Sequence, residues 1–207
     1  MLTPLRHRGI SLIETMVVLV IMAFMMALAA PNFSAWIAGS RIRATAESML
    51  AGLQYARSEA TTRNTQIRFQ QTTSVDGTCA RSTSGLAWVV DVVDPTEDDS
   101  VEGKCDTPPS DTVAPSILQV RSAGEAGGRV QVNAGVNQVV FNGFGRQVAT
   151  GAAAAPGTVL INIGPAGDLN QCAPTGKITC LRIVVSPAGQ VRLCNPNAPK
   201  GDAQACE

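Results

Sequence analysis

Arg8-Gly9-Ile10-Ser11-Leu12-Ile13-Glu14-Thr15 opens an apolar run that continues to Ala30. From Ile10 to Ala30 there are 21 residues and one charge, Glu14. At about 1.5 Å per residue, a helix of that length just spans the hydrocarbon of a bilayer. Ahead of it sits a short leader, Met1 to Gly9, with two cations, Arg6 and Arg8. Cationic flanks stay cytoplasmic, so the N-terminus is expected inside and everything after Pro31 outside. An ordinary secretory signal has a shorter apolar region with small residues at a cleavage site beyond it. Here the polar break, Gly9, precedes the run.

Beyond Pro31 the helical pattern continues. Proline removes a backbone donor, so a kink at Pro31 is expected rather than a stop. Ile42, Ala46, Met49, Leu53, Ala56 and Ala60 recur at steps of four and three, one apolar stripe at helical period. Arg41, Arg43, Glu47, Arg57 and Glu59 fall mostly off it. A single helix from Ser11 to Thr62 would measure about 80 Å. Asn64 reads as its stop signal. Gly39 and Gly52 each weaken it by about 1 kcal/mol relative to alanine.

From Thr65 the period changes. Strands are expected at 65–70, 86–93, 117–121, 129–132, 138–141, 158–163, 180–185 and 190–194. The last two are joined across Ser186-Pro187-Ala188-Gly189, a turn signal, and should form a hairpin. Many short strands and no later helical pattern imply an antiparallel, meander-like head packed on the helix. Loops are expected at 72–85, 94–115 and 143–157. Asp91, Asp94, Glu97, Asp98 and Asp99 lack the regular spacing of a calcium loop and read as a solvated loop, with no metal.

The 207 residues carry 16 basic and 16 acidic side chains, and loss of Arg6 and Arg8 would leave 14 against 16. The chain is no polycation, so any nucleic-acid contact needs a local patch. Its single histidine, His7, lies in the leader. A mature chain without it holds no histidine-based nucleophile system and no histidine-ligated zinc, which argues against an enzyme and against any cofactor. Six cysteines, all after the apolar run, suit an oxidising periplasm. They allow 15 connectivities. Nearest-neighbour pairing would join Cys79 to Cys105, Cys172 to Cys180, and Cys194 to Cys206.

Gly9-Ile10-Ser11-Leu12-Ile13-Glu14 resembles the class III signal of type IV prepilins and type II secretion pseudopilins. Ile10 stands where phenylalanine is commonest, and Thr15 where leucine or methionine is common. The resemblance implies that a prepilin peptidase cuts between Gly9 and Ile10 and methylates the new amine of Ile10. It also implies that Glu14 pairs with the N-terminal amine of a neighbouring subunit during filament assembly. A local role is compatible: Ser11 and Glu14 have capping-box spacing, and an acid in the first turn suits the helix dipole.

Phe141-Asn142-Gly143-Phe144-Gly145-Arg146, followed by Leu181 to Cys194, is similar to the pseudopilin H and FimT/FimU minor-pilin domain. The fold implied is α+β and type IV pilin-like: a long N-terminal helix, membrane-embedded in its first half, packed on an antiparallel β-sheet domain. The chain then divides into a leader (1–9), a membrane or filament-core half of the helix (10–30), an amphipathic half (31–63) and a periplasmic β-rich head (64–207). The implied partners are prepilin peptidase, other minor and major pilins, and the inner membrane. The implied role is a low-abundance subunit that primes a type IV pilus, with pseudopilin H of a type II secretion system as the alternative. Some FimT-type members bind DNA through a Gly-Arg-x-Arg motif. Gly189-Gln190-Val191-Arg192 lacks its first arginine, so Arg182, Arg192 and Lys200 remain as candidate phosphate contacts. Two or three cations give weak, salt-sensitive binding.

Overall fold

The protein is described here by a computed structural model covering residues 11–94, 100–124, 127–149, 155–167 and 169–206, without the side chains of 28–32 and 169. The leader, Gly9 and Ile10 lie outside these residues, as do Glu97, Asp98 and Asp99. The chain forms two compact units, Met1–Ile37 and Ala38–Glu207.

In the first unit the described backbone is helical from Leu12, within helix α1 (Leu12–Arg63). Leu12, Met16, Val20, Phe24 and Met25 are all exposed, so the helix is apolar all round here. Phe33 and Trp36 are exposed too and stack, with ring centroids 5.9 Å apart. Among the described residues no helix is long and apolar enough to cross a membrane. The apolar run read from the sequence begins at Ile10 and ends at 28–30, outside the described residues and side chains respectively.

In the second unit the stripe Ile42, Ala46, Met49, Leu53, Ala56 and Ala60 is completely buried. Helix α1 ends where Asn64 takes a left-handed φ of 50°, a conformation asparagine tolerates. Among the described residues nine strands follow: β1 (Ile67–Thr72), β2 (Ala87–Val92), β3 (Ile117–Arg121), β4 (Val130–Ala134), β5 (Gln138–Phe141), β6 (Gln147–Val148), β7 (Val159–Pro165), β8 (Leu181–Val185) and β9 (Val191–Cys194). They make two antiparallel sheets rather than one meander, in the orders β3-β2-β1-β5-β6 and β4-β7-β8-β9. The break comes at β4, which pairs with β7 and not with its predecessor.

The five-stranded sheet meets the helix through β1 and β2. Phe69 and Trp88 are buried, with rings 5.6 Å apart, and the Trp88 indole N–H donates to Ser48 Oγ at 3.2 Å. Gly52 sits directly over both rings, where an added Cβ would lie 2.9 Å from each. On the other face of this sheet Val89 and Ile117 pack with Val101, Cys79 and Cys105 in a second small core. The Cys79–Cys105 disulfide joins the two loops on either side of β2. In the four-stranded sheet Ile161, Ile163, Ile183 and Val185 are buried, and Asn133, Asn162, Arg182 and Arg192 fall on the opposite face by strand alternation.

Three of the four edge strands take or give a backbone hydrogen bond outside their sheet, and the residue that follows the fourth does so too. Ile117 O of β3 accepts from Ser110 N, and Gln147 N of β6 donates to Pro187 O. Ala134 N of β4 donates to Thr83 O, and just past β9 Asn195 N donates to Gln204 O.

The two helix glycines should respond in opposite directions. Nothing lies within 4 Å of a Cβ at Gly39, so Gly39→Ala should stabilise by about 1 kcal/mol. Gly52→Leu should destabilise by on the order of 2 kcal/mol, because the aromatic pair cannot yield without moving the sheet. Urea unfolding of the full chain in detergent micelles, followed by near-UV circular dichroism, measures both.

Candidate functional site

At the start of α1, Ser11 acts as the cap. Its Oγ accepts from Glu14 N at 3.3 Å, and its carbonyl accepts from the N–H groups of Glu14 and Thr15. The Thr15 hydroxyl donates to Leu12 O at 2.8 Å. Half of a capping box is therefore formed. Among the described residues the Glu14 carboxylate has no partner of its own. It stands exposed on an apolar helix. The processing residues Gly9 and Ile10 lie outside the described residues. Helix α1 passes through Pro31, and the side-chain packing that a kink there would involve is outside the description.

The stretch Phe141 to Arg146 is a tight hairpin tip between β5 and β6. Asn142 Oδ1 accepts from Phe144 N at 3.0 Å and from Arg146 N at 3.1 Å, and Asn142 O accepts from Gly145 N at 2.7 Å. This short amide is what lets the chain reverse in so few residues. The tip is fixed from two sides. Arg57 Nε on α1 donates to Gly145 O at 3.1 Å. The β8–β9 turn closes on the same carbonyl: Gly189 has φ +82°, and a Cβ there would lie 1.8 Å from Gly145 O. The two stretches quoted above thus touch each other. Phe144, held out by this tip, is 83% exposed.

Of the candidate phosphate contacts, Arg182 and Arg192 share the outer face of the four-stranded sheet. Arg182 lies opposite Asn162, and its Nε donates to Asn162 Oδ1 at 2.7 Å. Arg192 is exposed and lies opposite Val184. Lys200 is exposed in the tail loop closed by Cys194–Cys206. A groove of about 840 Å³ beside them includes Ser84, Asn133, Asn162, Arg182 and Asn197 in its lining. The other disulfides join Cys79 to Cys105 and Cys172 to Cys180, and no cysteine is free.

The acidic cluster does not behave as a solvated loop throughout. Asp91 belongs to β2 and is completely buried. It lies opposite Arg68, whose Nε donates to its Oδ2 at 3.2 Å, and it accepts from Gln70 Nε2 at 2.9 Å. Removing either charge would leave the other uncompensated in the interior. Glu102 and Asp76, in the loops outside β2, are held below the usual carboxylate range. The Arg81 guanidinium does this for Glu102, at 2.8 Å, and the Thr78 hydroxyl and amide do it for Asp76. Among the described residues no group of three or more His, Cys, Asp or Glu is placed to hold a metal.

Sequence reasoning missed Gly52, the Phe33–Trp36 pair and the Arg68–Asp91 pair. Only the last left a signal, an acid and a base in register on two strands that read as neighbours.

The family model described as Type II transport protein GspH matches residues 45–189. The model of the prokaryotic N-terminal methylation motif matches residues 4–30. Two crystal structures of the Pseudomonas aeruginosa (strain PAO1) type IV minor pilin FimU are similar to this chain. The form in space group P21 is 17% identical and covers 81% of this chain and 96% of that one, with a TM-score of 0.51. The P65 form is 18% identical and covers 80% and 99%, with a TM-score of 0.48. At these identities the P21 likeness is one of fold. No curated protein matches the chain.

Gly189→Ala should lower stability by on the order of 2 kcal/mol, since it combines strain at positive φ with a collision against Gly145 O. The drop in urea midpoint measures it. For Glu102, whose folded value is depressed, the contribution is in place above the ordinary carboxylate range and is lost as pH falls through the lowered value. Arg81→Gln should raise the Glu102 midpoint in an NMR titration.

Proposed function

The chain belongs to the Type II transport protein GspH family, and on that premise we propose that it is a minor pilin built into a type IV pilus through its N-terminal helix. It is made as a prepilin, cut by prepilin peptidase between Gly9 and Ile10, and methylated at Ile10. The methylation motif matched over residues 4–30 supports this. Until assembly it is held in the inner membrane, N-terminus inside and head in the periplasm. It then joins other minor and major pilins and helps to prime the fibre.

The observation that carries this reading is the first half of α1. Leu12 is 77% exposed and Met25 67%, and apart from Glu14 and Thr15 the residues between are apolar on every side. An amphipathic helix hides one face against its own protein. One that is apolar all round needs lipid or other helices as its surroundings. Phe33 and Trp36, just past the run, supply the aromatic pair that favours a bilayer interface. On this anchor Glu14 is a carboxylate without an intrachain partner among the described residues, which suits pairing with the amine of Ile10 in a neighbouring subunit.

The pilus reading is favoured over the secretion pseudopilus by the disulfide-rich head and its stapled tail, and FimU, similar in fold, is a type IV minor pilin. The family description itself supports the second reading, pseudopilin H of a type II secretion system. Capture of DNA is less supported. Arg182 is engaged with Asn162, which leaves Arg192 and Lys200 as exposed cations.

Two measurements test the proposal. In cells with active prepilin peptidase, mass spectrometry of the purified protein should find an N-methylated Ile10 at its start, and a start at Met1 would refute the processing step. Glu14→Ala should remain in the membrane fraction yet fall at least tenfold in sheared filaments. Normal incorporation of that variant would refute the assembly role.

A further inference from the structure

A pocket of about 370 Å³ opens between helix α1 and the end of β3 in the second unit. Its lining includes Arg41, Thr45, Ser48, Arg121 and Ser122. Two elements bring the cations together. Arg41, Thr45 and Ser48 follow one another at steps of four and three, a second stripe beside the buried one. Arg121 pairs with Trp88 across the β2–β3 ladder, so it lies on the face that Trp88 turns toward Ser48. Among the described residues neither guanidinium has a hydrogen-bond or ion-pair partner, whereas Arg43, two residues from Arg41, is paired with Glu47 at 3.7 Å.

We propose that this pocket binds a phosphate group. Arg41 is half-buried and Arg121 exposed, and both line this pocket, so an anion held there would offset two like charges at once. Each guanidinium presents up to five donors in a planar fork suited to phosphate oxygens. Ser48 and Ser122 add hydroxyls that donate or accept as needed. That donor supply exceeds what the two oxygens of a carboxylate take up and matches the tetrahedral set of a phosphate. Phosphate has two sources, the free ion and the headgroup of a phospholipid. The lipid source alone rests on the membrane-anchored reading above. The pocket does not.

The test uses the full chain in uncharged detergent micelles. Titration with inorganic phosphate at constant ionic strength, followed by calorimetry, should show one saturable site. Arg41→Gln and Arg121→Gln should each weaken it at least tenfold while keeping the wild-type circular dichroism and all three disulfides. Native mass spectrometry from micelles doped with phosphatidylglycerol should retain one lipid on the wild type and none on either variant. Saturable phosphate without retained lipid supports the site with the free ion as its source. Several outcomes overturn the proposal: no saturable phosphate, equal binding by both variants, or acetate binding as well as phosphate. Glu125, close in sequence, lies outside the described residues. Binding that appears only in Glu125→Gln would mean that the chain neutralises its own cations, and would overturn the proposal too. Loss of filament incorporation in Glu14→Ala leaves this result unaffected, so the two readings fail separately.

Discussion

The head depends on one seam, where the stripe from Ile42 to Ala60 lies on Phe69 and Trp88. Every residue of the stripe is completely buried, and the glycine in its middle lets helix and sheet come closer than any side chain would permit. At about 25 cal/mol per Å² of apolar surface, burial of this kind dominates the favourable side of folding. The polar contacts along the seam are few and specific. Ser48 satisfies the indole N–H of Trp88, and Gln71 reaches the Gly85 carbonyl at 3.4 Å. Because β1 and β2 carry both the seam and the pairings to β5 and β3, a shift at Gly52 would travel through the whole five-stranded sheet.

The other face of that sheet is handled differently. It carries a buried ion pair, Arg68–Asp91, and a small apolar cluster closed by a disulfide. The loops that cover it are polar, and their length gives little apolar surface to bury. A covalent link removes much of the unfolded freedom that such loops would otherwise retain. One sheet is therefore held by packing on the helix side and by cross-linking on the other.

Much of this was legible in residue order. The helix was readable to within one residue at each end, because its stripe keeps a strict period and Asn64 marks the stop. The bounds of β3 and β5 match their apolar patterns as read. The division into two sheets was not legible. Only eight residues separate β3 from β4, a spacing that suits a hairpin, and partner choice across the chain leaves no local trace. β6, two residues long, is below any pattern. Asp91 falls within the strand expected at 86–93, yet grouping it with the acids that follow reads it as solvated, although Arg68 stands opposite on the preceding strand. Gly52 reads as a helix weakener when taken alone, since the rings it admits lie 17 and 36 residues away. The same blindness hides Arg41 and Arg121, which only the fold brings to one cavity.

The hydrogen bonds made beyond each outermost strand have a consequence for how copies of this molecule can meet. An open strand flank is an invitation to unlimited stacking, one chain continuing the ladder of the last. Here each flank is partly occupied by the molecule's own loops and tail. Self-association by ladder growth is thereby discouraged. Higher-order order, where it arises, falls to surfaces that recognise shape and register instead of to the indiscriminate stickiness of bare peptide groups.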